Sequence, residues 1–263
     1  MNIRGGIAMI RGQLFSLLSE KGFFWTLAIG WMTGPLIYMM VWVSAASSGS
    51  IAGYDKNAFV LYYLCLITIN QMTYPTTHWS TAEAIQNGSI SSALVRPVPL
   101  VYGAIGQEVA VKIVCMPFVA VVVGLLGFLF GVQISFTFVH LIAGLAALAL
   151  ALLIRFLLAY ILSLLAFWTQ QSGSLLNVND TFIFLLGGQV APLALFPEML
   201  NHLANLLPYR YMISFPVEVL MGTLSREKMF QGFMMQLLWA AVFVLVHYLV
   251  NRYGQKKYSA VGG

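Results

Sequence analysis

Residues 90–103 read ISSALVRPVPLVYG. Three small residues, Ser91, Ser92 and Ala93, precede a lone Arg96, and Pro97 and Pro99 stand a residue apart after it. Long apolar runs lie on both sides, so the stretch interrupts a chain otherwise committed to hydrocarbon. Of 263 residues, 60% are hydrophobic and 8% are charged, against roughly 25% charged in ordinary soluble domains. Thirteen basic and eight acidic residues cannot clothe a soluble fold of this length. The solvent is therefore lipid.

A helix crossing hydrocarbon needs roughly 20 apolar residues. Six runs qualify, at 23–46, 58–79, 109–131, 138–167, 179–196 and 233–251. The first is longer than a signal-peptide core and is expected to stay as an anchor. The fourth, about 30 residues long, is expected to tilt or to extend past the bilayer. Six spans put both termini on one side. With the termini in the cytoplasm, the inner flanks hold eight basic residues: Arg4, Arg11, Lys21, Arg96, Lys112, Arg252, Lys256 and Lys257. The outer flanks hold four, Lys56, Arg210, Arg226 and Lys228. The positive-inside bias favours that orientation. Residues 80–108, which contain the opening stretch, then form the longest cytoplasmic connection, and 197–231 the long outer one.

Ahead of the first run, Ile3, Ile7, Ile10, Leu14 and Leu17 recur at helical spacing beside Arg4 and Arg11. This predicts a basic amphipathic helix over 1–22, lying in the membrane interface. It serves as a plain surface anchor or also as an elbow touching a cytoplasmic partner.

Within the connection, Asn87-Gly88 marks a turn and Ser89 is a candidate N-cap. From Ile90 to Val95 there is room for a turn or two of helix. Pro97 disfavours helix at Arg96, and Pro99 is expected to keep the following residues extended. The element is either a tight loop with an anchoring arginine or a short helix whose small residues admit a partner's surface.

Several polar residues fall inside the runs. Asn70, Gln71, Thr73, Tyr74, Thr76, Thr77 and His78 cluster at the end of the second run, around Pro75. Such groups avoid lipid and either line a path or bond neighbouring helices; His78 is expected at the interface. Arg155 sits mid-way along the fourth run, with Asp180 the nearest opposite charge in sequence. The fifth run contains Gly187-Gly188-Gln189 and Pro192, so its outer half is expected to break. Beyond it, Leu200, Leu203 and Leu206 form a short stripe ending at Pro208. A second apolar piece, 211–221, carries Glu218. Two short helices dipping back from outside fit this pattern.

The segment NGSISSALVRPVPLVYGAIGQEVAVKI resembles the first cytoplasmic loop of type-2 ABC exporter permeases, where a Gly-plus-small run and Leu-x-Arg-Pro-Val precede the third span. LLPYRYMISFPVEVLMG, residues 206–222, resembles the same family's segment before the last span. With the amphipathic start and the six runs, the resemblance covers essentially the whole chain, closest to the bacterial drug and uncharacterised-substrate branches. It implies an all-α integral membrane protein forming one permease domain over 1–263. Its parts would be six spans, an interfacial helix, a cytoplasmic coupling helix and re-entrant outer helices. The implied partners are separate ABC ATPase subunits, which would bind the ATP and Mg, a second permease, identical or related, and membrane lipid. The implied location is the bacterial inner membrane. Ser89, Ile90, Ser91, Ser92, Ala93, Leu94 and Arg96 are carried over as ATPase-coupling residues. Asn70, Gln71, Tyr74 and Gln189 are candidates for the translocation path, and Pro208, Tyr209, Phe215, Pro216 and Glu218 for an outer gate.

The residues themselves exclude several alternatives. No G-x-x-x-x-G-K-[ST] occurs, so no P-loop cradles ATP phosphates in this chain. No H-E-x-x-H or G-x-S-x-G supports an intramembrane enzyme, and no cofactor or metal set is apparent. Cys65 and Cys115 lie in apolar runs and read as inert buried thiols. The one short basic cluster, 252–257, is too small for a nucleic-acid surface. An ion- or proton-coupled secondary transporter remains the alternative, although matching broken helices in two halves are not seen.

Overall fold

Among the described residues, three helices are long and apolar enough to cross a membrane: Leu100–Leu129, Phe138–Phe167 and Arg226–Lys257. At 1.5 Å per residue, their 30 to 32 residues span about 45–48 Å, well beyond the ~30 Å of hydrocarbon. The computed structural model describes residues 10–15, 30–95, 99–133 and 136–257. Every extended element among them is helical, apart from a single antiparallel bridge between Ile51 and Tyr54.

In chain order the α-helices are α1 (Trp31–Ala45), α2 (Lys56–Thr73), α3 (His78–Gln86), α4 (Ser91–Leu94), α5 (Leu100–Leu129) and α6 (Phe138–Leu164). There follow α7 (Ser172–Leu186), α8 (Glu198–Leu206), α9 (Tyr209–Met212), α10 (Ser214–Met221) and α11 (Arg226–Lys257). Residues 10–15 are helical, with the Arg11 guanidinium 5.7 Å from the Phe15 ring centroid. The rest of the expected interfacial helix lies outside the described residues.

At the centre stands α2, packed against α1, α5, α6 and α10. Asp55 caps its start by accepting from the Ala58 N–H at 2.8 Å. Twelve of its eighteen residues are buried, including both Tyr62 and Tyr63. Protein surrounds this helix, which is why it tolerates tyrosines and amides that a lipid-facing helix would not. The longest helix pair is α6 with α11, and α10 also lies against α6. Close approach is made possible by Gly232, where a Cβ would overlap the Phe215 ring, and by Gly144, where it would overlap Leu220. Small residues at such contacts let dispersion act over many atoms in a membrane.

The structure moves several boundaries read from hydropathy. The second run was expected to reach residue 79, but α2 ends at Thr73, because Pro75 cannot continue the hydrogen-bond ladder. The third run was expected to begin at 109, but α5 starts at Leu100. Pro99 serves as its N-cap rather than extending the chain, since a helix start requires no proline N–H. The fifth run begins at Ser172, seven residues early, and stops at Leu186. The sixth extends to both sides of 233–251. Sequence periodicity sees apolar content, whereas helix ends are set by capping and proline.

Candidate functional site

The molecule has a loop side, carrying residues 74–95 and 99, and a cap side, carrying 187–225. On the loop side, α3 ends at Asn87 and Gly88 adopts φ +80°, a conformation that favours glycine. The Ile90 N–H donates to Ala84 O at 3.0 Å, closing the turn. Ser89 does not cap the next helix as expected; its N–H instead donates to the Asn87 side chain at 3.0 Å, an Asx turn. The following α4 is a single turn. Ile90 is 6% exposed and anchors the turn to the core, while Ser89, Ser92 and Val95 face outward. Ser91, Ala93 and Leu94 are half-buried. Arg96 and Pro97 lie outside the described residues.

This loop is braced from beneath. Gln86 Nε2 donates to Gln170 O at 3.0 Å and to Ser172 Oγ at 2.9 Å, tying α3 to the α6–α7 turn. The same turn receives the end of α11, where Gly254 meets Phe167 and Trp168 so closely that a Cβ would stand 2.6 Å from the Phe167 ring.

Above the loop lies a buried polar cluster. The backbone turns outward at Tyr74-Pro75, leaving the N–H groups of Thr76 and Thr77 without helical partners. Glu108 of α5, 6% exposed, supplies them: its Oε1 accepts from the N–H groups at 2.5 and 2.9 Å and from the two hydroxyls at 3.2 and 3.0 Å. Its Oε2 pairs with Lys112 Nζ at 2.5 Å, and Lys112 also donates to Tyr74 O at 2.6 Å. Lys112, counted by sequence as a flank charge, is thus half of a buried pair inside α5. Setting it aside, together with Arg210, which is paired with Glu218 in the same way, leaves seven of the expected inner basic residues against three of the outer ones.

Arg155 completes the cluster from α6. Its Nη1 donates to Asn70 Oδ1 and Thr73 Oγ1, both at 2.8 Å, and its guanidinium stands 5.2 Å from the Tyr74 ring centroid. The nearest opposite charge in sequence, Asp180, is not its partner: among the described residues Arg155 forms no ion pair, and the Asp180 carboxylate accepts from Asn179 at 3.4 Å. His78, expected at the interface, is 1% exposed between the Tyr74 and Trp79 rings. Of the path candidates, Asn70 and Tyr74 therefore sit together on Arg155. Gln71 is half-buried beside them in sequence, and Gln189 lies far along the chain on the cap side.

On the cap side, the expected break of the fifth run is present. Helix α7 spans about 22 Å, short of the bilayer core. Gly188 then takes φ +81°. Three side chains satisfy the freed carbonyls: Tyr62 donates to Gly188 O at 2.8 Å, and Tyr63 and Trp42 donate to Val190 O at 2.7 and 2.8 Å. Irregular backbone is stable here because protein meets its polar groups. Beyond it come three short helices rather than two, since the backbone breaks at Ile213 (φ −135°, ψ −66°) between α9 and α10.

Those helices enclose a second buried pair. Arg210 Nη2 meets Glu218 Oε2 at 2.6 Å, Ser214 donates to Glu218 Oε1 at 2.7 Å, and Arg210 Nη1 donates to Asn205. Gln236 of α11, fully buried, donates to Tyr211 O and Ala147 O, both at 2.9 Å. The pair borders a cavity of about 1130 Å³ that Tyr54, Asn205, Met235 and Lys228 also line. Of the gate candidates, Pro208, Phe215, Pro216 and Glu218 are buried, and Tyr209 stacks on Phe182 with centroids 5.6 Å apart.

Sequence reasoning missed Glu108, Tyr62, Tyr63, Trp42 and Gln236. For Glu108 a signal existed: an acid and a base four apart within an apolar run face the same way on a helix. The tyrosines carried none, since their partners are more than 120 residues distant.

A helical molecule with three helices among the described residues long and apolar enough to cross a membrane, and with its buried charged groups bonded to protein partners, has the character of a polytopic membrane protein. Residues 29–262 match the ABC-2 family transporter proteins, and the chain belongs to that family. It is accordingly a membrane permease of an ABC transporter. No curated protein matches the sequence.

Proposed function

We propose that this permease is the membrane subunit of an ATP-driven exporter in a bacterial cytoplasmic membrane. Helices α1, α2, α5, α6, α7 and α11 are its six spans, with both termini and the loop side in the cytoplasm. A second permease, identical or related, completes the translocation path, and separate ATPase subunits dock on the loop side, binding ATP and Mg. Residues Ser89–Leu94 with Arg96 form the docking element. Gln71 and Gln189 line the path, with Asn70 and Tyr74 forming its wall. Pro208, Tyr209, Phe215, Pro216 and Glu218 make up the outer gate.

The observation that carries this reading is the form of the loop side. A one-turn helix is anchored by Ile90 and braced through Gln86, and it presents Ser89, Ser92 and Val95 outward, Val95 being 83% exposed. Small side chains on a rigid ledge let a partner's backbone approach closely, and a brace beneath lets applied force move the spans rather than bend the loop. The test is purification of the intact complex from the native membrane. An ATPase subunit that co-purifies and forms a thiol cross-link to Ser92→Cys is expected. Export that survives ATP depletion and stops with a protonophore would instead make the chain a secondary transporter.

A further inference from the structure

The docking reading leaves open how displacement of a loop reaches the spans. Between them stands the turn 74–77, in which the Thr76 and Thr77 N–H groups have no helical acceptor and are held by α5. Four donors converge on one carboxylate oxygen of Glu108, and the other oxygen is paired with Lys112, which returns to Tyr74 O. The next residue of this chain segment is His78, the first of α3, and α3 leads directly to α4. Arg155 grips the other side of the same turn, through Asn70, Thr73 and the Tyr74 ring. Three helices thus meet on four residues.

We propose that Glu108 is a positioning residue for transport: it clamps the 74–77 turn to α5 so that α3, α4 and the loop-side halves of α2 and α5 move as one body. The proposal rests on the docking reading for the origin of the force, but the clamp itself concerns this chain alone. Its chemistry is specific. A plain ion pair with Lys112 would need only opposite charges, whereas a clamp needs an acceptor at position 108 aimed at two backbone N–H groups. Those two requirements separate under a charge swap. Glu108→Lys with Lys112→Glu restores an i,i+4 pair but sets an ammonium against the Thr76 and Thr77 N–H donors. Glu108→Gln keeps an acceptor oxygen and gives up the ion pair.

The experiment places spin labels at Glu83→Cys on the exposed face of α3, outside the docking element, and Gln133→Cys just past the far end of α5, Cys65 and Cys115 being buried. Distances are measured on the purified complex in lipid nanodiscs, with and without ATP·Mg under vanadate trapping. Amide exchange at Thr76 and Thr77 is followed on the same samples. In the parent the 83–133 distance is expected to stay single and unchanged by nucleotide. In the swapped variant it is expected to broaden or shift by about 5 Å, one helical turn, when nucleotide is added. The two amides are expected to exchange about tenfold faster, with Glu108→Gln intermediate in both readouts. A swapped variant with the parent's distances and exchange would overturn the clamp and leave an ordinary ion pair. If the swapped variant does not fold, Glu108→Met with Lys112→Met decides, since it removes the acceptor without leaving a buried charge: parent-like exchange at both amides overturns the proposal, and faster exchange supports it. Absence of any co-purifying ATPase would count against the docking reading, while the exchange measurement would still decide the clamp.

Discussion

Arg155 offers the sharpest energetic test, because this buried cation, among the described residues, is held by neutral hydrogen-bond acceptors with no carboxylate at ion-pair distance. It is 2% exposed, and its bonds to Asn70 Oδ1 and Thr73 Oγ1 are both 2.8 Å. A hydrogen bond to a charged group contributes about 1.5–3 kcal/mol. Asn70→Leu removes that bond and leaves the guanidinium with Thr73, the residue-70 carbonyl at 3.4 Å and the Tyr74 ring, so it is expected to cost about 2 kcal/mol. Arg155→Met removes the cation itself. Thr73 then loses little, since its hydroxyl still donates to Ile69 O at 2.8 Å, and only the Asn70 amide is orphaned, at about 1–3 kcal/mol. Asn70→Leu with Arg155→Met leaves neither orphan. The double variant is therefore expected to be no less stable than either single one, with a coupling of about 1.5–3 kcal/mol. Unfolding of the detergent-solubilised protein by a denaturing surfactant, followed by tryptophan fluorescence, measures all four corners of the cycle. Additivity to within about 0.5 kcal/mol would refute the reasoning, since it would mean that Asn70 does not hold the cation.

Other outcomes follow from the same geometry. Gly232→Leu drives a side chain into the Phe215 ring and is expected to cost about 1–3 kcal/mol, and Phe215→Ala in the same chain should recover part of it in the same unfolding assay. Glu218→Ala leaves Arg210 buried with Asn205 alone and is expected to cost about 3–5 kcal/mol, more than the paired change Arg210→Met with Glu218→Leu. Tyr62→Phe should cost more than Tyr63→Phe, because Val190 O keeps the Trp42 donor while Gly188 O loses Tyr62. Ser92→Trp, on the exposed face of α4, should leave stability unchanged and reduce the ATPase that co-purifies; undiminished recovery would count against docking at this ledge.

Legibility differed by kind of feature. The lipid solvent, the helical class, the break at Gly187-Gly188 and the short helix before Pro97 were all readable, because composition, glycine and proline act locally. The family resemblance was readable on two quoted segments. The end of α2 and the start of α5 were misplaced, because hydropathy carries the second run on to Trp79 and starts the third only after Gln107-Glu108, whereas the helices end just before Pro75 and begin just after Pro99. Asp180 was the natural partner for Arg155 on a line, but α6 in space turns Arg155 toward α2. Likewise Lys112 read as a flank charge until α5 was seen to begin twelve residues before it.

By itself, then, the order of residues determined that this chain lives in lipid, forms helices, and stops them where ring closure or a missing Cβ alters the backbone. Only the tertiary structure decided which polar groups meet. Hydrocarbon offers a buried donor no water, so an unpaired one is costly and is stabilised by whichever partner packing brings. Those partners come from helices 30 to 150 residues apart, a separation that local pattern does not encode.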